Sequence, residues 1–205
     1  MLLNFIIVAL LCSSPAKAEI FRLDPSTGSF HVLLYKGGPL RALGHDHVVA
    51  ARAFEGEVEI TTATSKVSLS VDAVALIADE AQTRKALNMS EIIERDRAKI
   101  EARMRGPKGL DVAQHPRITL ESELVEAVYD EPSLWLVTAR FSLHGATQTL
   151  QFPVTAVEAQ GGRWFSGYVR LRPSEYGIPP YSAFAGALTL KDEALVRFNL
   201  FGRRE

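Results

Sequence analysis

Two histidines separated by one aspartate, His45-Asp46-His47, form the cluster in this sequence whose residue types suit a metal. In an extended strand, positions 45 and 47 project to the same face about 7 Å apart, so the two imidazoles could share Zn²⁺ or Cu²⁺ or flank a haem. A zinc site needs at least one more protein ligand, and His31 and His144 are the candidates. Two other interpretations stay open: a hydrogen-bonded pair at a strand end, or a pair that joins Arg41 at a cavity mouth to bind a polar head group.

Sequence patterns of hydrolytic and phosphate-binding enzymes are missing from the chain. No Gly-x-Ser-x-Gly stands between a strand and a helix, and neither His-Glu-x-x-His nor a glycine-rich phosphate loop occurs. The serines, histidines and aspartates show no spacing that singles out a catalytic triad. We therefore expect a protein that is not an enzyme and holds no cofactor, with Zn or Cu at His45 and His47 as the alternative.

Short alternating strands are the elements that would position these side chains, and Phe141–Val154 (FSLHGATQTLQFPV) is the clearest example. Apolar-polar alternation leads into Gly145-Ala146-Thr147, and a second alternating run ends at a proline. This pattern predicts a β-hairpin with one buried face. Similar runs along most of the chain predict an all-β, up-and-down antiparallel barrel.

Two segments interrupt the alternation. Pro25-Ser26-Thr27-Gly28 predicts a turn between a first strand at 19–24 and a second at 29–35. Residues 79–106 predict one charged helix, because residues 88–91 resemble a capping box and a Gly-Pro pair closes the run. We expect this helical insertion to cross the outside of the barrel or to cap one end.

Residues 1–18 resemble a signal peptide, since an apolar run is followed by Ala16-Lys17-Ala18. Its removal would take away Cys12 and leave one domain, residues 19–205, with 22 basic and 24 acidic residues. That balance argues against nucleic acid as a partner, and no other segment could span a membrane. We expect a periplasmic or secreted protein; the sequence leaves a homodimer possible.

Five sequence blocks resemble, in order and spacing, the YceI-like family of small secreted, lipocalin-like proteins described as polyisoprenoid-binding. The blocks are Phe21–Ser26, Phe54–Val58, His115–Ser122, Leu143–Val154 and Ala187–Phe198. Gly44-His45-Asp46-His47 resembles the Gly-His-x-His signature of one branch of that family. The resemblance implies an eight-stranded barrel around an apolar tunnel that holds an isoprenoid or related lipid, and it implies no catalytic residue.

Barrel geometry agrees with this implication, because eight strands enclose a space that side chains fill or that holds one small ligand. We therefore predict a non-enzymatic carrier of an isoprenoid or other amphiphilic lipid. The alternatives are a metal- or haem-associated stress or electron-transfer protein using His45 and His47, and a scaffold without ligand. The predicted lipid contacts are Phe30, Val32, Leu34, Arg41, His45, His47, Phe141, Leu143, His144 and Phe198.

Overall fold

Residues 18–61 and 64–205 are described by a computed structural model of the chain. The predicted signal peptide therefore lies outside the described residues, apart from Ala18. The strands and helices, in chain order, are β1 (Glu19–Gly37), β2 (His47–Ala51), β3 (Phe54–Ile60), β4 (Ser65–Asp72), β5 (Leu76–Ala78), α1 (Ala81–Ala86), α2 (Glu94–Arg105), β6 (Arg117–Val128), β7 (Glu131–Leu143), β8 (Ala146–Ala159), β9 (Gly162–Leu171), β10 (Ser182–Ala183) and β11 (Leu188–Arg204).

Eight of these strands close into an antiparallel barrel in the order β1-β3-β4-β6-β7-β8-β9-β11, and β11 pairs back onto β1. The predicted fold class is confirmed. The first half of β1 pairs with β3, while its second half pairs with β2, which in turn pairs with β5. β2 and β5 thereby extend one side of the barrel wall.

The turn predicted at residues 25–28 is wrong, because β1 runs through it as one 19-residue strand. Asp24 pairs with Phe201 and Gly28 with Leu200, so the three residues between them bulge out of the ladder. The Asp24 carboxylate accepts hydrogen bonds from the Ser26 backbone N–H at 2.8 Å and its hydroxyl at 2.6 Å. Proline and glycine therefore mark a bulge here, where Gly28 adopts φ +100°.

The hairpin predicted over Phe141–Val154 is confirmed as β7 and β8, with its turn one residue earlier than predicted. Leu143 pairs with Ala146, which leaves His144 and Gly145 as a two-residue loop. Their φ values of 51° and 77° are both positive, as a type I′ turn requires. His144 is thereby held at the tip of the hairpin.

Two helices, α1 and α2, replace the single helix predicted over residues 79–106. The predicted capping box does not start a helix, because α2 begins at Glu94 and its N-cap residue, Ile93, makes no side-chain capping hydrogen bond. Ile100 and Met104 of α2 pack against the barrel core, so α2 caps one end, one of the two predicted positions. Neither described helix has the length and hydropathy needed to cross a membrane.

One end of the barrel, which we call the packed end, is filled by side chains. Its members are Phe21, Val58, Val137, Phe152, Val154, Phe165 and Leu200, all buried. Phe21 and Phe165 meet edge to face with ring centroids 5.8 Å apart. A Cβ on Gly202 would lie 2.9 Å from atoms of both aromatic residues, so this glycine allows their approach. The guanidinium groups of Arg163 and Arg204 lie over the Phe21 ring at 5.3 Å and cover this end.

Candidate ligand cavity

The opposite end, which we call the hollow end, encloses a cavity of about 510 Å³. Its barrel walls are inward-facing apolar side chains of β1, β4, β6, β7, β9 and β11: Phe30, Val32, Leu34, Leu69, Val71, Ile118, Leu120, Phe141, Leu143, Leu171, Ala194 and Val196. Val32 on β1 pairs with Val196 on the adjacent strand β11, and Leu120 on β6 pairs with Phe141 on the adjacent strand β7. The alternation of the strands thus produces a continuous apolar lining.

Helix α2 and two loops cover the hollow end. Ile100 and Met104, one turn apart on α2, line the cavity together with residues 108–110, which follow the helix. Residues 178–181 line it from the loop after β9. The Arg103 guanidinium lies 4.8 Å from the centre of the Tyr181 ring, which joins the helix to that loop. The cover is therefore made of segments outside the barrel strands.

Positive charge accompanies this apolar lining. Five basic side chains border the cavity, Lys36, Lys99, Arg103, Lys108 and Lys191, whereas none of the described lining residues is Asp or Glu. The Lys36 ammonium donates a hydrogen bond to the Gly44 carbonyl at 3.1 Å. We call these five residues the basic set. An apolar chamber with cations at its border suits a molecule with an apolar body and an anionic or hydrogen-bond-accepting end.

Seven of the ten predicted contact residues line the cavity: Phe30, Val32, Leu34, His45, His47, Phe141 and Leu143. Their contact with a lipid stays a prediction. The structure places the other three elsewhere. Arg41 is exposed in a 3₁₀ turn at Arg41–Leu43. His144 lies at the β7–β8 turn, with Nδ1 3.0 Å from the Tyr176 carbonyl oxygen.

Phe198 is also outside the described cavity lining, although it alternates in phase with Val196. It pairs with Gly167, whose missing side chain leaves room for the ring: a Cβ there would lie 2.7 Å from Phe198 Cζ. The Phe198 ring packs against Phe152 of the packed end, with centroids 6.2 Å apart. Phe198 therefore fills core space rather than bordering the hollow.

A buried ion pair holds His47 in the cavity wall. His47 Nδ1 donates to Asp79 Oδ2 at 2.6 Å, and the Val48 backbone N–H donates to Asp79 Oδ1 at 3.1 Å. Asp79 is 1% exposed and pairs with Arg84, which is 2% exposed. Arg84 also donates to the Asp46 carbonyl at 2.9 Å. This network ties β2, β5 and α1 together behind the cavity wall.

The network also sets the protonation of its carboxylate. Burial by itself would raise the pKa of Asp79, but the hydrogen bond and charge of His47, the Val48 N–H and the Arg84 charge together hold the pKa below its ordinary value. Asp79 therefore stays ionised. Because Nδ1 of His47 is engaged by Asp79, Nε2 is the ring nitrogen left for a ligand in the cavity.

The metal alternative at His45 and His47 stays a prediction without a third ligand. Within residues 18–61 and 64–205, one group of three or more potential metal ligands converges, and it consists of Asp111, His115 and His144. Sequence reasoning missed this group, the Asp79–Arg84 pair and the basic set. The i, i+4 spacing of Ile100 and Met104 was the local signal for the cap.

Comparison with known proteins agrees with this architecture. The family model for the YceI-like domain matches residues 21–201. The structure of BcnA from Burkholderia cenocepacia superimposes with a TM-score of 0.65 at 14% identity, covering 87% of this chain and 98% of that one. A polyisoprenoid binding domain from Saccharophagus degradans, implicated in plant cell wall breakdown, gives 0.58 at 15% identity, covering 93% and 99%.

The YCEI protein of Campylobacter jejuni gives a TM-score of 0.51 at 10% identity, covering 77% of this chain and 84% of that one. No curated protein matches the chain. At such low identities the structural likenesses establish the fold alone, whereas the family model spans most of the sequence. The chain belongs to the YceI-like domain family.

Proposed function

We propose that this protein is a non-enzymatic carrier that binds an isoprenoid or other amphiphilic lipid in the hollow end. The observation that carries the proposal is the cavity of about 510 Å³, apolar along its walls and bordered by the basic set. Pockets of 300–1,000 Å³ with mostly apolar walls and a few polar groups are typical small-molecule sites. The polyisoprenoid binding described for the Saccharophagus degradans relative supports the same ligand class.

The apolar walls would bind the body of the ligand by excluding it from water. Each methylene moved from water into such a lining contributes about 0.8 kcal/mol, with no directed bond required. Phe30, Val32 and Phe141 offer this kind of surface on β1 and β7. Affinity would then depend on the length of the apolar chain more than on its pattern of branches.

The polar end of the ligand would meet the basic set and the histidines. Lys99 and Arg103 sit one turn apart on α2, and Lys36 and Lys191 sit on the neighbouring strands β1 and β11. His47 offers Nε2 from β2, which pairs with the second half of β1, and its ring is oriented by Asp79. A ligand with an acceptor or anionic head would be held in one orientation by these groups.

The same proposal includes a periplasmic or secreted location, supported by the signal-peptide pattern of residues 1–18. A carrier is useful where an insoluble lipid must cross water between membranes or between cells. The barrel would shield the apolar chain of the lipid from water during this transfer, and the protein would not change the lipid chemically.

The decisive experiment is organic extraction of natively purified protein followed by mass spectrometry. We expect about one amphiphilic lipid per protein, and strongly reduced occupancy in Phe141→Asp, because a charge in the apolar wall repels the ligand body. Leu124→Asp is the matched control, since Leu124 is 49% exposed on β6. Phe141→Gln replaces the aspartate variant if the charge prevents folding.

Extraction of no lipid from wild-type protein, combined with no uptake of a long-chain isoprenoid alcohol or phosphate added in solution, would contradict the proposal. Equal occupancy in the Phe141 variant and the Leu124 control would contradict the location of the site. Folding of both variants is checked by circular dichroism.

A further inference from the structure

A second site lies outside the cavity, and the carrier function makes no use of it. Asp111, His115 and His144 each offer one potential ligand atom, and these atoms lie within 4.8 Å of one another. Two of the residues come from the segment after α2, and the third comes from the β7–β8 turn. We propose that these three side chains bind a divalent transition metal of the Zn²⁺ type.

The backbone brings the three side chains together. The Asp111 carbonyl accepts hydrogen bonds from the backbone N–H groups of Gln114 at 2.9 Å and His115 at 2.8 Å, which closes a tight turn with Asp111 and His115 on it. A Cβ on Gly145 would lie 2.8 Å from His115 Cε1, so this glycine lets the imidazole approach the hairpin tip. The His115 and His144 ring centroids are 4.8 Å apart.

One ring nitrogen of His144 is already engaged by the backbone. Its Nδ1 lies 3.0 Å from the Tyr176 carbonyl oxygen, which can only accept, so Nδ1 carries the proton and Nε2 carries the free lone pair. A backbone carbonyl on the other ring nitrogen is the arrangement that usually supports a metal-bound histidine. The described residues provide no hydrogen bond or ion pair to the side chains of Asp111 and His115, which leaves both available.

Two imidazoles and one carboxylate favour Zn²⁺, which takes such ligands in tetrahedral sites with water in the remaining position. Metal–ligand bonds of 2.0–2.1 Å put neighbouring ligand atoms roughly 3.3 Å apart. The present separations of up to 4.8 Å would therefore close by about 1.5 Å on binding. Side-chain rotation of Asp111 and His115, both half-buried, supplies a movement of that size.

The position of the site suggests what the metal would do. Gly109 and Leu110 line the cavity immediately before Asp111, and Ile178 lines it just after Tyr176, whose carbonyl holds His144. A metal bound here would fasten the segment that follows α2 to the hairpin and, through His144, to the loop after β9. The fastening role rests on the proposed carrier function; the metal site itself does not.

The test measures Zn²⁺ binding to the untagged chain by calorimetry and Co²⁺ binding by visible absorption. We expect one ion per protein and a tetrahedral Co²⁺ spectrum. His115→Ala and His144→Asn should each weaken binding more than about 100-fold, because loss of even a supporting partner costs 10–100-fold. Asparagine is chosen at position 144 because it tolerates the positive φ of 51° there.

Two controls separate this site from other histidines. His31→Ala removes an imidazole from β1, away from the cluster, and His45→Ala/His47→Ala removes the pair at the cavity; both should bind Zn²⁺ as wild type does. A wild-type protein that binds no Zn²⁺, or affinity that falls in the His45/His47 variant and not in His115→Ala, would overturn the site.

The fastening role has its own readout. Zn²⁺ should slow amide exchange of residues 106–116 and slow release of a preloaded lipid in wild type, with neither effect in His115→Ala. Binding of Zn²⁺ with unchanged lipid release would overturn the fastening role and leave the site. A protein that binds Zn²⁺ and takes up no lipid would overturn the carrier function alone.

Discussion

The packed and hollow ends of the barrel are built from the same strands with the same inward alternation, and yet one is solid and the other is not. Strand β1 shows both: Phe21 and Leu23 are buried in the packed end, whereas Phe30, Val32 and Leu34 border or face the cavity. On β7, Val137 and Ala139 are buried, whereas Phe141 and Leu143 line the hollow. Alternation therefore decides which face is inside, and it does not decide whether the inside is filled.

Small residues and covers account for the difference. At the packed end, glycines opposite large rings let the rings close in: Gly202 beside Phe21 and Phe165, and Gly167 beside Phe198. At the hollow end, α2 and two loops cover the opening without filling it. The packed end is thus held by apolar contacts, whereas the wall of the hollow end also depends on the buried Asp79–Arg84 pair.

The largest expected effect comes from deleting a ring at the packed end. Phe152→Ala should lower the free energy of unfolding by about 3–5 kcal/mol, because Phe152 is 6% exposed and its removal opens a new cavity. Leu34→Ala at the hollow end should cost only about 1–2 kcal/mol, since Leu34 already borders empty space. Urea unfolding of lipid-free protein measures both, and equal losses would erase the distinction between the two ends.

The buried ion pair gives the next effect. Asp79→Asn should cost about 2–3 kcal/mol at pH 7, less than the 3–5 kcal/mol for complete loss of a partner, because asparagine can still accept the Val48 N–H bond. The buried Arg84 charge is left without its anion. Amide exchange in β2 and β5 should rise more than in β8 and β9, which would place the damage at the hollow end.

Acid should have the same effect on wild type. The pKa of Asp79 is lower in the folded chain than in the unfolded one, so its contribution is complete above the unfolded pKa of about 3.9 and is lost as the pH falls through the lower folded pKa. The stability difference between wild type and Asp79→Asn should therefore shrink as the pH falls below about 4. A difference that persists undiminished to pH 2 would contradict this role for the carboxylate.

A smaller effect comes from adding volume instead of removing it. Val137→Trp at the packed end should cost about 1–3 kcal/mol, because Val137 is 2% exposed and does not line the cavity. Val32→Trp should cost less than about 1 kcal/mol, since its ring can enter the cavity, and it should displace the proposed lipid. Thermal unfolding and extraction of the two variants test this pair, and a severe loss of stability in Val32→Trp would mean that the hollow is not available space.

The features that depend on residues close together in the sequence could be predicted from it. The β7–β8 hairpin follows from local alternation, and the same alternation identified Phe30, Val32, Leu34, Phe141 and Leu143 as inward. The same alternation predicts Phe198 in the cavity, because it cannot show that Gly167 on β9 leaves room for the Phe198 ring to pack elsewhere.

The features that could not be predicted depend on contacts between residues that are far apart in the sequence. Arg84 meets the Asp46 carbonyl across 38 positions, and His144 joins residues of the segment after α2 only once the barrel has closed. Pro25 and Gly28 predict a turn where the structure has a bulge in β1, because proline and glycine favour both. No local pattern distinguishes a bulge when the partner strand, β11, lies at the other end of the chain.

The smallest effect concerns a tyrosine hydroxyl in the loop after β9, next to Phe141 of the hollow end. Tyr176 is 1% exposed, its ring meets Phe141 edge to face at 5.6 Å, and its hydroxyl has no hydrogen-bond partner among the described residues. Burial, with a contribution from Glu175, raises the pKa of Tyr176 to about 12, so the group stays protonated and uncompensated. Tyr176→Phe keeps the ring contact and removes the unpaired hydroxyl, so we expect lipid-free protein to gain up to about 1 kcal/mol in urea unfolding. A loss of stability would instead show that the hydroxyl is hydrogen-bonded in solution, and it would contradict this prediction.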